Sequence, residues 1–326
     1  MREIAFIKQN KETWQEFEQI VVNKTQKDPD ALAAIYLKLT NDLAFAQTYY
    51  PKSKITTYLN NLTALLFLRI YKKKRNNSED ILTFFKIDVP LLAYKYRYYM
   101  YLAFGLYAIF MAIGIISALY NEEFVRYILG DYYVDMTLVN IENGNPVAVY
   151  KGSDEVLSSF SITTNNLLVG AKMYLYGFLC GIGTLYILLT NSIMVGAFQT
   201  FFYTHGVFLE SVRGIWLHGS MEIFAMVIEA SAGLIMAGSI LFPGTYSRLE
   251  SIKKGFLNSF KIFISTLPFT VAAGLIEGFV TRWSKEMPNS VNYLIIAITL
   301  GCISFYYLIY PILCAKKYQF QNITTK

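Results

Sequence analysis

From about residue 99 to residue 313 the chain is a succession of long apolar runs separated by short polar connections. About 20 consecutive apolar residues suffice for a helix to cross the hydrocarbon core of a bilayer. The pattern predicts six such helices, at about 99–119, 168–189, 191–204, 216–242, 262–280 and 291–313. The third is the weakest, because Gln199, His205 and Glu210 interrupt it before Arg213. A broken or re-entrant segment is expected there, a form tolerated only inside protein or beside water. Between the first two runs, residues 120–165 are acidic and turn-rich. Asn143-Gly144-Asn145-Pro146, flanked by Val139, Ile141, Val147 and Val149, suits a short hairpin.

Ahead of the first run the periodicity is that of amphipathic helices. Residues 1–97 contain no glycine. Trp14, Phe17 and Val21 are spaced for a helix over 12–22. Asp28 before Pro29 reads as an N-cap and first helical residue, opening a stripe of Leu32, Ile35, Leu39, Leu43 and Ala46. Leu59, Leu62, Leu66 and Ile70 form a third stripe over 53–74, with Lys72, Lys73, Lys74 and Arg75 at its end, where cations suit the helix dipole. Residues 81–99 mix Phe84, Phe85, Leu91 and Leu92 with Lys86, Lys95 and Arg97. That mixture fits an interfacial amphipathic helix or a plainly packed one. The fold class is therefore all-α. A cytoplasmic helical region (1–97) precedes a transmembrane bundle (98–315) with a small extracytoplasmic loop or hairpin (120–165), and a cytoplasmic tail (316–326) follows.

Composition agrees with this class: 54% of residues are hydrophobic and 16% charged, against roughly a quarter charged in soluble domains. The net charge of +6 is explained by topology, and no nucleic-acid partner is expected. Of 29 Lys and Arg residues, only Arg126, Lys151, Lys172, Arg213, Arg282 and Lys285 fall in the loop and connections assigned to the outer side. That asymmetry places both termini in the cytoplasm, with the surplus charge against anionic lipid. The first residues carry Arg2, Lys8 and Lys11 without the apolar core of a cleavable signal. Cys180, Cys302 and Cys314 lie in apolar segments without metal-ligand spacing. They imply neither a disulfide framework nor a zinc site.

Within the fourth run, His218, Glu222 and Glu229 return to one face at helical spacing. A carboxylate inside a bilayer-crossing helix costs roughly 2 to 3 kcal/mol on insertion scales, so these groups face protein or water. Glu277 brings a second carboxylate-bearing helix, and the four residues form a candidate intramembrane polar cluster. Three readings stand: a clamp that hydrogen-bonds helices together, a proton or cation relay, and a divalent-metal site. Only His205 and His218 are available as imidazole ligands, so neither metal nor cofactor is expected. Gly177 with Gly181, and Gly274 with Gly278, have the small-residue spacing of close helix packing, which also suits a homodimer. Asn165, Asn166 and Asn191 bracket the second run as polar helix-end residues. No Walker loop or Gly-x-Ser-x-Gly elbow is present, and Ser220 is too close to His218 on the helix for a serine–histidine dyad. No catalytic residue is expected.

One set of residues in this order resembles a known family. Phe124-Val125-Arg126 with Gly130 and Tyr133 is followed by Asn165-Asn166, then by Gly177, Gly181, Gly183-Thr184, Asn191 and Gly196. Next come His218-Gly219-x-x-Glu222 with Gly233, Pro243-Gly244, and Ala272-x-x-x-Ile276-Glu277-Gly278-Phe279. Over residues 100–285 this pattern resembles the stage II sporulation protein M family of integral membrane proteins, and residues 1–97 fit its longer members. The resemblance implies a non-catalytic scaffold or complex subunit in envelope remodelling, with membrane lipid and envelope proteins as partners. In spore formers the family member is thought to hold wall-cleaving partners at the membrane. Longer relatives are often encoded beside a MoxR-type ATPase and an RDD-type membrane protein. The intramembrane carboxylates leave a second expectation, a translocator of an ion, lipid or envelope precursor. A third is an intramembrane metal-dependent hydrolase.

Overall fold

A computed structural model describes residues 2–22, 29–71, 77–146, 148 and 155–324. Among these the chain is helical with no strand, and it divides into two compact units, Met1–Asp80 and Ile81–Lys326. The division leaves residues 81–97 with the second unit.

The first unit is built from α1 (Glu3–Val22), α2 (Pro29–Tyr49) and α3 (Lys54–Tyr71). The apolar stripes meet as one core of Phe6, Trp14, Phe17, Ile20, Ile35, Leu39, Ala46, Leu59, Leu62 and Leu66. The Trp14 indole donates to Asp42 at 2.9 Å, satisfying the one polar atom of a side chain that is otherwise dry. Ser53 turns the chain into α3, its hydroxyl accepting from the Ile55 amide and donating to Glu3. Helix α1 begins nine residues earlier than its expected start at residue 12, because Phe6 reaches the core beside Trp14. The expected cap Asp28 and the basic run Lys72–Arg75 lie outside the described residues.

The second unit begins where α4 (Asn77–Thr83) passes through a π-helical turn, Phe84–Asp88, into α5 (Val89–Lys95). Val89 and Ala93 are buried. Asp88 takes an ion pair from Lys261 at 2.8 Å, and Tyr306 donates to the Phe85 carbonyl at 3.0 Å. This segment is thus packed against the bundle. The long helices follow: α6 (Arg97–Tyr120), α9 (Glu155–Leu175), α10 (Ile182–Thr204), α11 (Phe208–Leu241), α12 (Arg248–Phe279), and α13 (Asn289–Ser304), which continues through a π-helical turn into α14 (Tyr310–Thr324). Among the described residues, five segments are long and apolar enough to cross a membrane: α6, α10, α11, α12 with its short extension, and α13 to α14. The sixth helix, α9, is more polar but runs the depth of the bundle. Ser159 lies against Gly278, Thr163 against Gly274, Gly170 against Glu229, and Gly177 against Gly233.

Three details differ from the sequence expectation. The apolar run 168–189 is not one helix, because Cys180 and Gly181 take left-handed conformations (φ 53° and 83°) and turn the chain between α9 and α10. Hydropathy cannot register that break, since apolar side chains flank it on both sides. Gly177 seats against the Gly233 backbone, while Gly181 makes the turn and lies against Ala237, one turn further along α11. Second, α10 is continuous through Asn191 and Gln199. Asn191 and Ser192 donate to the carbonyls of Ile187 and Leu188, at 2.8 and 2.6 Å, so these polar groups are satisfied within their own helix. Third, residues 122–142 form two short helices instead of a hairpin strand, α7 (Glu122–Leu129) and α8 (Asp131–Glu142). Asn121 caps α7 by accepting from the Glu123 amide at 2.9 Å, and Gly130 (φ 85°) makes the corner. Val125 and Val134 then bury against Ala197, Phe201 and Phe202 of α10. Val139 and Ile141 lie in α8; Val147 and Val149 are outside the described residues.

Helix α11 is the axis of the unit. Its apolar window is 78% buried, against 17% for α6 at the periphery, because Gly, Ala and Ser recur along it and let neighbours approach on every side. A Cβ on Gly233 would stand 2.6 Å from both the Met173 carbonyl and the Thr184 hydroxyl. Gly274 and Gly278 do the same work on α12, where Thr163 and Ser159 of α9 fill the space. Both contacts are within one chain.

Gly233→Ala is expected to lower the stability of the detergent-solubilised protein by about 1 to 3 kcal/mol. Gly105→Ala, whose Cβ would meet nothing within 4 Å, should leave it unchanged or raise it by up to about 1 kcal/mol. Thermal unfolding followed by circular dichroism decides; equal melting of both variants and the parent would refute the close backbone seat.

Candidate functional site

The chemistry-bearing residues fall on facing stripes of α11 and α12. On α11, His218, Glu222 and Glu229 share a face by helical spacing. On α12 and its extension, Thr266, Thr270, Glu277 and Thr281 recur at four, seven and four residues, which is again one face. Because the two helices are antiparallel, the stripes meet along their length. The result is a polar column from the end near α7 and α8 toward the middle of the bundle.

At the upper end of that column His218 and Glu277 are both buried, with 4% and 7% of their surface exposed. The His218 Nε2 stands 3.7 Å from Glu277 Oε1, and its Nδ1 is 3.0 Å from the Thr281 hydroxyl. The ligand-type atoms of His218, Glu222 and Glu277 all lie within 4.8 Å of one another. Deeper in the bundle, Glu229 is 2% exposed and its Oε1 takes the Thr266 hydroxyl at 2.8 Å and that of Thr270 at 3.4 Å. Gly170 of α9 makes room for it: a Cβ there would overlap the carboxylate.

Glu222 lies between the two ends of the column and is only half-buried, opening on a cavity of about 130 Å³. Asn165, Asn166, Asn191, Glu229 and Thr270 share its wall with apolar residues of α9, α10 and α11. The three asparagines are thus mid-helix residues that line this cavity, not helix-end caps. Asn166 Nδ2 is buried there without a hydrogen-bond partner. Sequence reading assigned them to helix ends because it took 168–189 for one span; the turn at Cys180–Gly181 places them in the middle of α9 and α10. The threonines of α12 were not singled out either. Their four-residue spacing ahead of Glu277 was the available signal, diluted because threonine is common in apolar helices.

The arrangement offers a nitrogen donor and three carboxylates in a low-dielectric core, with a small polar cavity on one flank. It can hold a proton or a cation, or fix three helices in register. The His218 Nδ1 is tied to the Thr281 hydroxyl.

Comparison with known proteins agrees with the two-unit division. A family model described as Stage II sporulation protein M matches residues 103–282, which include every residue of the column, and a model described as a domain of unknown function (DUF8413) matches residues 4–72. No curated protein and no solved structure matches the chain.

Proposed function

The chain belongs to the stage II sporulation protein M family and is a membrane protein, and from that premise we propose that it is a non-catalytic scaffold in cell-envelope remodelling. It would hold protein partners at the bacterial cytoplasmic membrane, with both termini inside, and would act as a homodimer. The observation that carries this reading is the pairing, on one chain, of a separately cored helical unit with a membrane bundle whose axis is packed backbone against backbone. A bundle seated in that way is a rigid anchor. Leu37 and Leu65, exposed on the first unit, offer apolar contact points for a partner.

Orientation rests on the positive-inside asymmetry. Lys172 strengthens it, because α9 carries this residue toward the end of the bundle that holds Arg248, Lys253 and Lys254. Cys180 is exposed in the turn at that same end. A membrane-impermeant maleimide should therefore label Cys180 in inside-out vesicles and not in intact cells, with Cys180→Ser as the blank. Labelling from outside would reverse the topology.

For the scaffold, a photo-crosslinker placed at Leu37 or Leu65 of the full chain, at native expression, should give defined heteromeric adducts. A crosslinker on lipid-facing Ile109 should not give the same ones. A monomer without adducts from either leucine would refute the reading.

The cavity beside Glu222 and Glu229 favours one other function, translocation of an ion, lipid or envelope precursor along the carboxylates. Under that reading Glu222→Gln and Glu229→Gln, assembled normally, abolish pH-dependent flux into proteoliposomes. Flux equal to that of the parent chain would remove it.

A further inference from the structure

We propose that His218, Glu222 and Glu277 bind one divalent transition-metal cation of the zinc class, whether the protein serves as scaffold or translocator. Three observations converge on this site. The first is the tautomer of the histidine. The Thr281 hydroxyl donates to the Ile276 carbonyl at 3.3 Å, so its oxygen accepts from His218 Nδ1–H at 3.0 Å. That turns the Nε2 lone pair toward Glu277. Metal-ligating histidines are held in this way, one ring nitrogen tied to an oxygen and the other presented to the ion.

The second is distance. At 3.7 Å, Nε2 and Glu277 Oε1 are too far apart for a good N–H···O hydrogen bond. Two donors bound at about 2.0 to 2.2 Å to one ion stand roughly 3 to 4 Å apart, and all three donor sets here fall within 4.8 Å. The third is the state of Glu277 itself. It is 7% exposed and faces His218 Nε2 at 3.7 Å. A carboxylate kept ionised in such a place needs a counter-charge, which a bound cation supplies.

Charge selects the ion. Two carboxylates and a neutral imidazole balance a divalent cation, leaving no net charge in the apolar layer. A mixed nitrogen and oxygen donor set suits zinc and its neighbours better than magnesium or calcium, which favour oxygen alone. Three protein ligands leave a coordination position open. Glu222 borders the cavity that also carries the unpartnered Asn166 amide, so a water on that side of the ion would find a donor in the wall.

The test uses the full chain in detergent, stripped with chelator, dialysed against Zn²⁺ and assayed by elemental analysis. One zinc per chain is expected, with Co²⁺ substitution giving the visible spectrum of nitrogen and oxygen ligation. Glu277→Gln and Glu222→Gln should each reduce zinc affinity at least tenfold, and His218→Ala should abolish binding. Should His218→Ala fail to fold, the two glutamine variants carry the test. Thr281→Val, which leaves every ligand in place, should weaken zinc by about 10- to 100-fold; a hydrogen bond used only for packing would not. Ser220→Ala, whose hydroxyl pairs with Thr299 instead, should bind as the parent does. No stoichiometric zinc on the parent chain, zinc that survives both glutamine substitutions, or equal loss in Ser220→Ala would each overturn the proposal.

Discussion

The membrane unit depends on keeping the polar groups of α11 away from hydrocarbon. A helix that carries an imidazole and two carboxylates cannot face lipid without a penalty of several kcal/mol, and one surrounded by other helices must find its partners among them. Every contact of the column follows from this. Thr266 and Thr270 meet Glu229, Thr281 meets His218, and Glu277 meets His218 from the opposite helix. The polar stripe thereby fixes the rotation of α11 about its axis and the register of α12 against it, which purely apolar surfaces would leave loosely specified.

Close packing makes that arrangement possible. Without a hydrophobic force between helices in lipid, association rests on van der Waals contact and interhelical hydrogen bonds, both of which need backbones to approach. The small residues of α11 allow α9 to seat against Gly233, and those of α12 allow Ser159 and Thr163 to lie against Gly278 and Gly274. Ser159 then donates to the Gly274 carbonyl at 2.9 Å. Gly170 links the two devices, since its missing side chain is the space that Glu229 occupies. The glycines and the carboxylates are one design: removing the small residue would displace the acid.

This architecture bears on function. A membrane core locked by backbone contacts and interhelical hydrogen bonds suits a part that stays fixed while others work. A small cavity opens on the flank of Glu222, where it meets the asparagines of α9 and α10. An ion held by His218, Glu222 and Glu277 would tie α11 to α12 beside that flank, so scaffolding and cation binding are compatible in one molecule. The first unit has its own aromatic core around Trp14 and matches a separate family model.

The sequence alone determined the all-helical class, the amphipathic stripes of α1 to α3, the membrane character of the second unit, its family, and the shared face of His218, Glu222 and Glu229. These are legible because helical periodicity and apolar run length are local properties of the chain. It missed the turn at Cys180–Gly181, read α10 as broken and residues 139–149 as a hairpin, because backbone conformation at glycine and the satisfaction of Asn191 within its own helix leave no trace in hydropathy. Only the tertiary structure decided that Glu277 meets His218, that Thr266 and Thr270 serve Glu229, and that Asn165, Asn166 and Asn191 line the same cavity. Those meetings depend on the rotation and register of helices far apart in the chain, which are set by mutual packing and cannot be read from any one segment.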